Sequence, residues 1–271
     1  SIIFFYLSIL YLMKIKFQKY QGTGNDFIII NNNRLSFPNK NKDLIKHLCD
    51  RKFGIGSDGL ILINPSAKTD FEMLYFNSDG NLGSMCGNGA RCSVKFAQNQ
   101  KIIKSNTIFN ACDGNHNATI NKDLITLSMK PVDKIKTFNN DLFLDTGSPH
   151  FIRIVENIED FDVYNEGKLI RNSSEFKDEG VNVNFVQIIS ENEFSVRTFE
   201  RGVEDETLSC GTGVTAVALA MFHLKKTNSK KLKIKTRGGE LTVEFNNSEN
   251  GYSEIYLTGS VKMIFSGEIE I

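Results

Sequence analysis

The feature that most constrains this chain is a repeat of itself. Thr23-Gly24-Asn25-Asp26-Phe27 stands 123 residues before Thr146-Gly147-Ser148-Pro149-His150, and Phe76-Asn77 stands 123 before Phe199-Glu200. Cys86-Gly87-Asn88-Gly89 stands 124 before Cys210-Gly211-Thr212-Gly213. One Cys-Gly-x-Gly says little, but three matches in one order at nearly one offset mark a duplication. The expected division is a first half over 13–131 carrying Cys86 and a second over 132–262 carrying Cys210, joined near Lys130–Lys136. Residues 263–271 are expected to form a final strand that returns to the first half.

Local patterns agree between the halves. FEMLYF (71–76) and FSVRTF (194–199) alternate as strands do. Each leads through a turn to Cys-Gly-x-Gly, which opens a helical run, Ala90–Gln98 in one half and Val214–Lys226 in the other. The run VTAVALAMFHL is apolar on nearly every side, so that helix should be buried along most of its length. Strand-like tails follow: ATINKDLITLSM, then KLKIK, ELTVEF and EIYLTG. The expected fold class is α+β, two pseudo-symmetric halves, each a β-rich sheet or barrel wrapped around a central helix.

The 271 residues carry 32 basic and 32 acidic side chains, so no net field favours nucleic acid or an anionic membrane. The five cysteines lack framework spacing, and the four histidines (47, 116, 150, 223) are scattered. That argues against a disulfide scaffold or a structural metal site and suits a reduced, cytoplasmic enzyme. His116 falls in a polar stretch, DGNHN, that reads as a loop; His47 and His223 read as helix-face residues. Residues 1–12, SIIFFYLSILYL, are apolar but shorter than the about 20 residues a spanning helix needs, and lack basic leading residues. They read as an upstream extension, with Met13 as the natural start; the rival reading is a tethering or secretory segment.

A cysteine at a helix start meets unpaired backbone N–H groups and the positive end of the helix dipole. Both favour thiolate and can lower a thiol pKa from about 8.5 to roughly 3.5–7.5. The same N–H groups suit a carboxylate, and adjacent glycines let it come close. Duplication would set two such cysteines face to face across an amino acid. One thiolate could then take the Cα proton while the opposite thiol delivers another to the other face. Cys49, Cys92 and Cys112 lack this setting and read as small buried apolar residues. Neither cysteine motif continues as a Walker or dinucleotide pattern, which argues against a nucleotide site.

With those residues in view, the chain resembles the diaminopimelate epimerase family from about Lys14 to its end. The resemblance rests on Gly24-Asn25-Asp26-Phe27, Gly54-Ile55-Gly56, Phe76-Asn77-Ser78-Asp79-Gly80, Met85-Cys86-Gly87-Asn88-Gly89-Ala90-Arg91-Cys92, Glu200-Arg201-Gly202 and Cys210-Gly211-Thr212-Gly213. It implies interconversion of LL- and meso-2,6-diaminopimelate without pyridoxal phosphate or metal, for lysine and peptidoglycan precursor biosynthesis. It implies Cys86 and Cys210 as the paired acid and base, with no order between them, and His150 and Glu200 as important for activity. Gly87, Asn88, Gly211 and Thr212 would cradle the reacting carboxylate. Asn25, Asn77 and Asn182 would bind substrate, and Glu200 with Arg201 would hold the distal amino and carboxylate groups. Ser148 stands where the family often has Asn, so a hydroxyl replaces an amide there. A homodimer is implied too.

Two other functions fit parts of the pattern. One is a two-cysteine racemase of proline, hydroxyproline or histidine; the Cys-Gly-Asn-Gly-Ala-Arg form and Glu200-Arg201 favour diaminopimelate. The other is a non-catalytic amino-acid-binding module, which intact Cys86 and Cys210 argue against. A thiol redox protein is a weaker third.

Overall fold

The computed structural model describes residues 13–271; the readings made of residues 1–12 lie outside them. The first half holds β1 (Lys14–Gly22), β2 (Asn25–Asn31), α1 (Lys42–Cys49), β3 (Gly59–Asn64), β4 (Phe71–Asn77), α2 (Gly87–Asn99), β5 (Asn106–Ala111), β6 (Gly114–Asn121) and β7 (Leu124–Met129). The second holds β8 (Ile135–Phe138), β9 (Asp141–Asp145), β10 (Pro149–Ile154), α3 (Val163–Arg171), β11 (Asn182–Ser190), β12 (Glu193–Glu200), β13 (Asp205–Thr207) and α4 (Gly211–His223). It continues with β14 (Lys231–Thr236), β15 (Gly239–Ser248) and β16 (Gly251–Ser260), and the chain ends with β17 (Lys262–Glu270).

Strand pairing repeats the duplication. β2 runs parallel to β3 and β10 parallel to β11, each pair bridged by a helix on the outside, α1 or α3. β4 then runs parallel to β5, and β12 to β14, bridged by α2 or α4. Hairpins continue to β7 in one half and β16 in the other, and these two strands pair antiparallel from Leu124↔Ser260 to Met129↔Ile255. β17 pairs antiparallel with β1, alongside β2.

Side-chain alternation explains the layers. Phe27, Ile28, Ile29 and Ile30 on β2 are all buried, as are Leu60 to Ile63 on β3, because this parallel pair is covered on both faces. Ile28, Ile30, Leu60 and Leu62 pack in the cluster that holds Ile45 and Leu48 of α1. Phe27, Ile29, Ile61 and Ile63 face Ala90, Val94 and Ala97 of α2. α4 buries Gly213 through Met221 without a break, which its all-round apolar sequence requires. Losing one of its larger side chains, such as Leu219, to Ala should cost about 2–5 kcal/mol.

Both central helices begin earlier than apolar periodicity suggests, at Gly87 and Gly211, because Cys86 and Cys210 take extended backbone as N-caps. The duplication reaches backbone conformation: Gly24 and Gly147 both turn with positive φ, +87° and +104°, which favours glycine. His116 is not in a loop. Gly114, at φ +120°, closes a tight turn and β6 starts there, so His116 pairs opposite Phe109 and is buried against it, its Nε2 2.7 Å from Asp113 Oδ1. Cys112 is exposed rather than buried, since it sits in that turn, whereas Cys49 and Cys92 are buried. No helix among the described residues is long and apolar enough to cross a membrane.

Candidate active site

The two central helices meet end to end. A Cβ on Gly87 would lie 3.7 Å from the Gly211 Cα, so the halves touch where the cysteine motifs begin. Beside this contact opens a cavity of ≈ 740 Å³ lined by both Cys86 and Cys210. Asn25, Asn77, Gly87, Asn88 and Ser148 line it, as do Asn182, Glu200, Arg201, Gly211 and Thr212. Of the residues expected at the site, only His150 stands back, fully buried behind Thr212.

Around Cys86 the amides have defined directions. The Gly89 N–H donates to Cys86 Sγ at 3.4 Å, as the helix start requires. Asn25 Nδ2 donates to Asp58 Oδ2 at 2.6 Å, which turns Asn25 Oδ1 toward Cys86 Sγ, 3.6 Å away. Asn88 Nδ2 donates to the Ser209 carbonyl at 3.0 Å and so ties the first helix start to the second half. Asp58 belongs to a charged group with Asp26, Arg51 and the buried Lys19. Burial works against charge on Asp26, but Arg51 and Lys19 hold its carboxyl down at about 2.

Around Cys210 the arrangement differs. Asn184 Nδ2 lies 3.1 Å from His150 Nδ1 and can only donate, so Nδ1 is an acceptor and the ring proton sits on Nε2. His150 Nε2 therefore donates to Thr212 Oγ1 at 2.9 Å, leaving the Thr212 hydroxyl proton for Cys210 Sγ at 3.4 Å. Burial, with the Arg201 charge adding to it, pushes His150 down to about 3, so the ring is neutral. Asn182 uses both ends on backbone: Nδ2 to the Pro149 carbonyl at 3.1 Å, and Oδ1 from the Arg201 N–H at 3.0 Å.

Burial works against the easily formed thiolates that the helix starts favour. Burial pushes Cys86 up to about 11, against the Gly89 N–H, with Glu200 adding to the rise. Burial and Glu200 push Cys210 up to about 12, against the Thr212 hydroxyl. The helix starts act in the expected direction but lose to desolvation. Glu200 lines the same cavity, its charge adds to the rise at both sulfurs, and burial raises its own carboxyl too.

Sequence reasoning passed over Asp58, Asn184, Thr207 and Ser209. Asn184 was readable, since Asn182 and Asn184 share one face of a strand by their spacing of two. Asp58 gave no signal, being 33 residues from the amide it orients. Thr207 and Ser209 line the cavity; the Thr207 hydroxyl bonds Glu200 and works against the rise of its carboxyl, and the buried Ser209 hydroxyl has no partner among the described residues. No group of His, Cys, Asp and Glu side chains among the described residues could hold a metal ion. The arrangement can hold a carboxylate on two helix starts with a sulfur from each half beside it.

The family model for diaminopimelate epimerase matches residues 17–135 and 142–264. The diaminopimelate epimerase of Flavobacterium psychrophilum is 52% identical over 255 residues, covering 94% of this chain and 100% of that protein. That of Aquifex aeolicus is 39% identical over 274 residues, covering 94% and 97%. Among solved structures, a Bacillus anthracis phenazine biosynthesis protein of the PhzF family superposes with TM-score 0.77 at 14% identity, over 96% of this chain and 100% of that one. A hydroxyproline epimerase from Agrobacterium vitis follows at TM-score 0.69 and 13% identity, over 95% and 93%; these two likenesses concern the fold alone. Sequence similarity over nearly the whole chain, on a fold that brings both cysteine motifs to one cavity, shows that this chain belongs to the diaminopimelate epimerase family.

Proposed function

We infer that the chain is a diaminopimelate epimerase, interconverting LL- and meso-2,6-diaminopimelate by moving a Cα proton between Cys86 and Cys210. The observation that carries this is the meeting of two helix starts, each capped by a cysteine, at one cavity. The substrate α-carboxylate sits on the N–H groups of Gly87, Asn88, Gly211 and Thr212. One sulfur, as thiolate, takes the Cα proton and becomes a thiol. The opposite thiol gives its proton to the other face and becomes the thiolate, so charge and protons balance. The carboxylate takes up the carbanion charge, and the helix N–H groups stabilise it there.

Burial disfavours the thiolate at both sulfurs, and substrate binding is what favours it. The α-ammonium, received by Glu200, offsets the charge that otherwise raises both sulfurs. This assigns Glu200 to the reacting amine instead of the distal one. Arg201, with the cavity-lining Arg51, suits the distal carboxylate. Asn25, Asn77, Asn182 and Ser148 complete the wall, and His150 acts through Thr212.

The reading includes a cytoplasmic homodimer serving lysine and peptidoglycan precursor synthesis. Met263, Ile264 and Phe265 on β17 are all exposed, which leaves apolar side chains on both faces of this strand for a second copy to cover. Incubation with LL-diaminopimelate in deuterated water tests the reaction. Meso product carrying deuterium at Cα is expected, with Cys86→Ser and Cys210→Ser each abolishing turnover. Absence of both exchange and meso product would sink the assignment.

A further inference from the structure

Arg91 is fully buried, and no carboxylate among the described residues lies within ion-pair distance of it. A buried guanidinium without a counter-charge is costly and is normally paired. Its hydrogen bonds all go to neutral acceptors: Asn88 Oδ1 at 2.8 Å, Thr23 Oγ1 at 3.2 Å and the Gly87 carbonyl at 3.4 Å. Its Nε has no partner. Gly259 of β16, from the other half, closes over the group; a Cβ there would stand 3.0 Å from Nε and 3.2 Å from Cζ.

The duplication supplies an internal control. The position 124 residues on is Thr215, whose hydroxyl only donates back to the Gly211 carbonyl at 3.0 Å. Likewise Thr212 stands where the first half has Asn88. A cation therefore lies behind the helix start of Cys86 and not behind that of Cys210. Its contact with Asn88 also decides that amide's direction. Oδ1 is taken by Arg91, so Nδ2 faces the cavity wall, within 3.0 Å of the Ser209 carbonyl and 3.5 Å of Asn25 Oδ1.

We propose that Arg91 is a positioning residue that aims Asn88 into the cavity and supplies the fixed positive charge balancing a Cys86 thiolate and a bound carboxylate. The carboxylate half of this rests on the epimerase reading; the thiolate half does not. The ionisable groups that act on the guanidinium are the Cys86 and Cys92 thiols, and burial drives Cys92 further up. The Glu200 charge opposes ionisation of Cys86. The cation favours ionisation of both thiols, and Cys86, the lower of the two, is the one that lines the cavity.

The test alkylates the ligand-free full chain with iodoacetamide at about pH 8 and follows Cys86 and Cys210 separately by peptide mass spectrometry, since only thiolate reacts. Losing a nearby positive charge disfavours the thiolate, so Arg91→Gln should slow Cys86 alkylation roughly three- to tenfold. Cys210, in the same molecule, should change far less, whereas general loosening would speed both. Arg91→Lys should keep most of the Cys86 rate but not Asn88's direction, so its KM should rise. Should Arg91→Gln fail to fold, Thr23→Asp keeps the cation and pairs it with a carboxylate. That variant gives up the bond Thr23 Oγ1 donates to Asn88 Oδ1 at 3.2 Å, but it sets a negative charge against the guanidinium and should still slow Cys86 alkylation. Equal Cys86 rates in the parent and in whichever of Arg91→Gln and Thr23→Asp folds would overturn the proposal. Because alkylation needs no substrate, it stands or falls separately from the epimerase assay.

Discussion

His150 Nε2 lies 2.9 Å from Thr212 Oγ1, and the same hydroxyl lies 3.4 Å from Cys210 Sγ. A neutral, buried imidazole thus directs a hydroxyl proton at the second sulfur. Thr212→Val removes that donor. A hydrogen bond to a charged group contributes about 1.5–3 kcal/mol, so kcat should fall roughly ten- to hundredfold. Thr212→Ser keeps the hydroxyl and should recover most of the loss. Steady-state rates in both reaction directions are the measurement, and equal rates for Val and Ser would remove the relay from the mechanism.

The same histidine gives a pH prediction. Its folded pKa, about 3, lies below the unfolded value of about 6.5. Between those values the unfolded chain binds more protons, so this contribution is complete above about pH 6.5 and declines as pH falls toward 3. The slope approaches about 1.4 kcal/mol per pH unit for this one group. Urea titrations of the parent and His150→Gln should therefore converge in stability as pH drops from 7 to about 5. Parallel curves would show that His150 is not held neutral.

The two-part α+β fold and its central helices, each with a cysteine at its start, were legible in the sequence, because equal offsets, glycine motifs and apolar runs survive in one dimension. Arg51, Asp58 and Asn25 were separate residues until the turn after α1 carried Asp58 to β2. Likewise nothing in the sequence said that His150 would stand behind Thr212, 62 residues later. The burial of the two thiols was not legible for another reason. Helix-start chemistry is local and readable, whereas desolvation depends on how completely the opposite half closes over the site. His116 was misread because Asp113-Gly114 looks like a loop but spends only a tight turn before β6 begins.

Asp58 offers a test of how much these unseen partners matter. With its 2.6 Å bond from Asn25 Nδ2, Asp58 keeps Asn25 Oδ1 turned toward Cys86. Asp58→Ala should free the amide and lower kcat/KM by about 1–2 kcal/mol equivalent, near tenfold. Asn25→Ala should be worse, and the double variant should be little worse than Asn25→Ala. A coupling energy of at least about 0.5 kcal/mol is expected from the cycle. Additive losses would mean that Asp58 acts elsewhere, through Arg51 for example.

Gly213 and Gly89 occupy the same place in the two central helices but differ in what surrounds them. A Cβ on Gly213 would run into Asn184 Oδ1 and stand 3.3 Å from His150 Cε1. On Gly89 it would meet only side-chain ends, Ile61 Cδ1 at 3.1 Å, with Met73 Cε and Phe27 Cε1 each at 3.4 Å. Alanine in a helix interior gains up to about 1 kcal/mol over glycine, enough to offset mild crowding. Gly89→Ala should therefore leave the melting temperature nearly unchanged. Gly213→Ala must push Asn184 off His150, so it should lose about 1–3 kcal/mol of stability. It should also lower kcat, because the amide that fixes the ring's tautomer has moved and the Thr212 hydroxyl loses its aim at Cys210. Calorimetry and steady-state rates on both variants decide it. A Gly213→Ala protein as stable as Gly89→Ala, with an unchanged kcat, would show that Asn184 is not what holds the histidine in place.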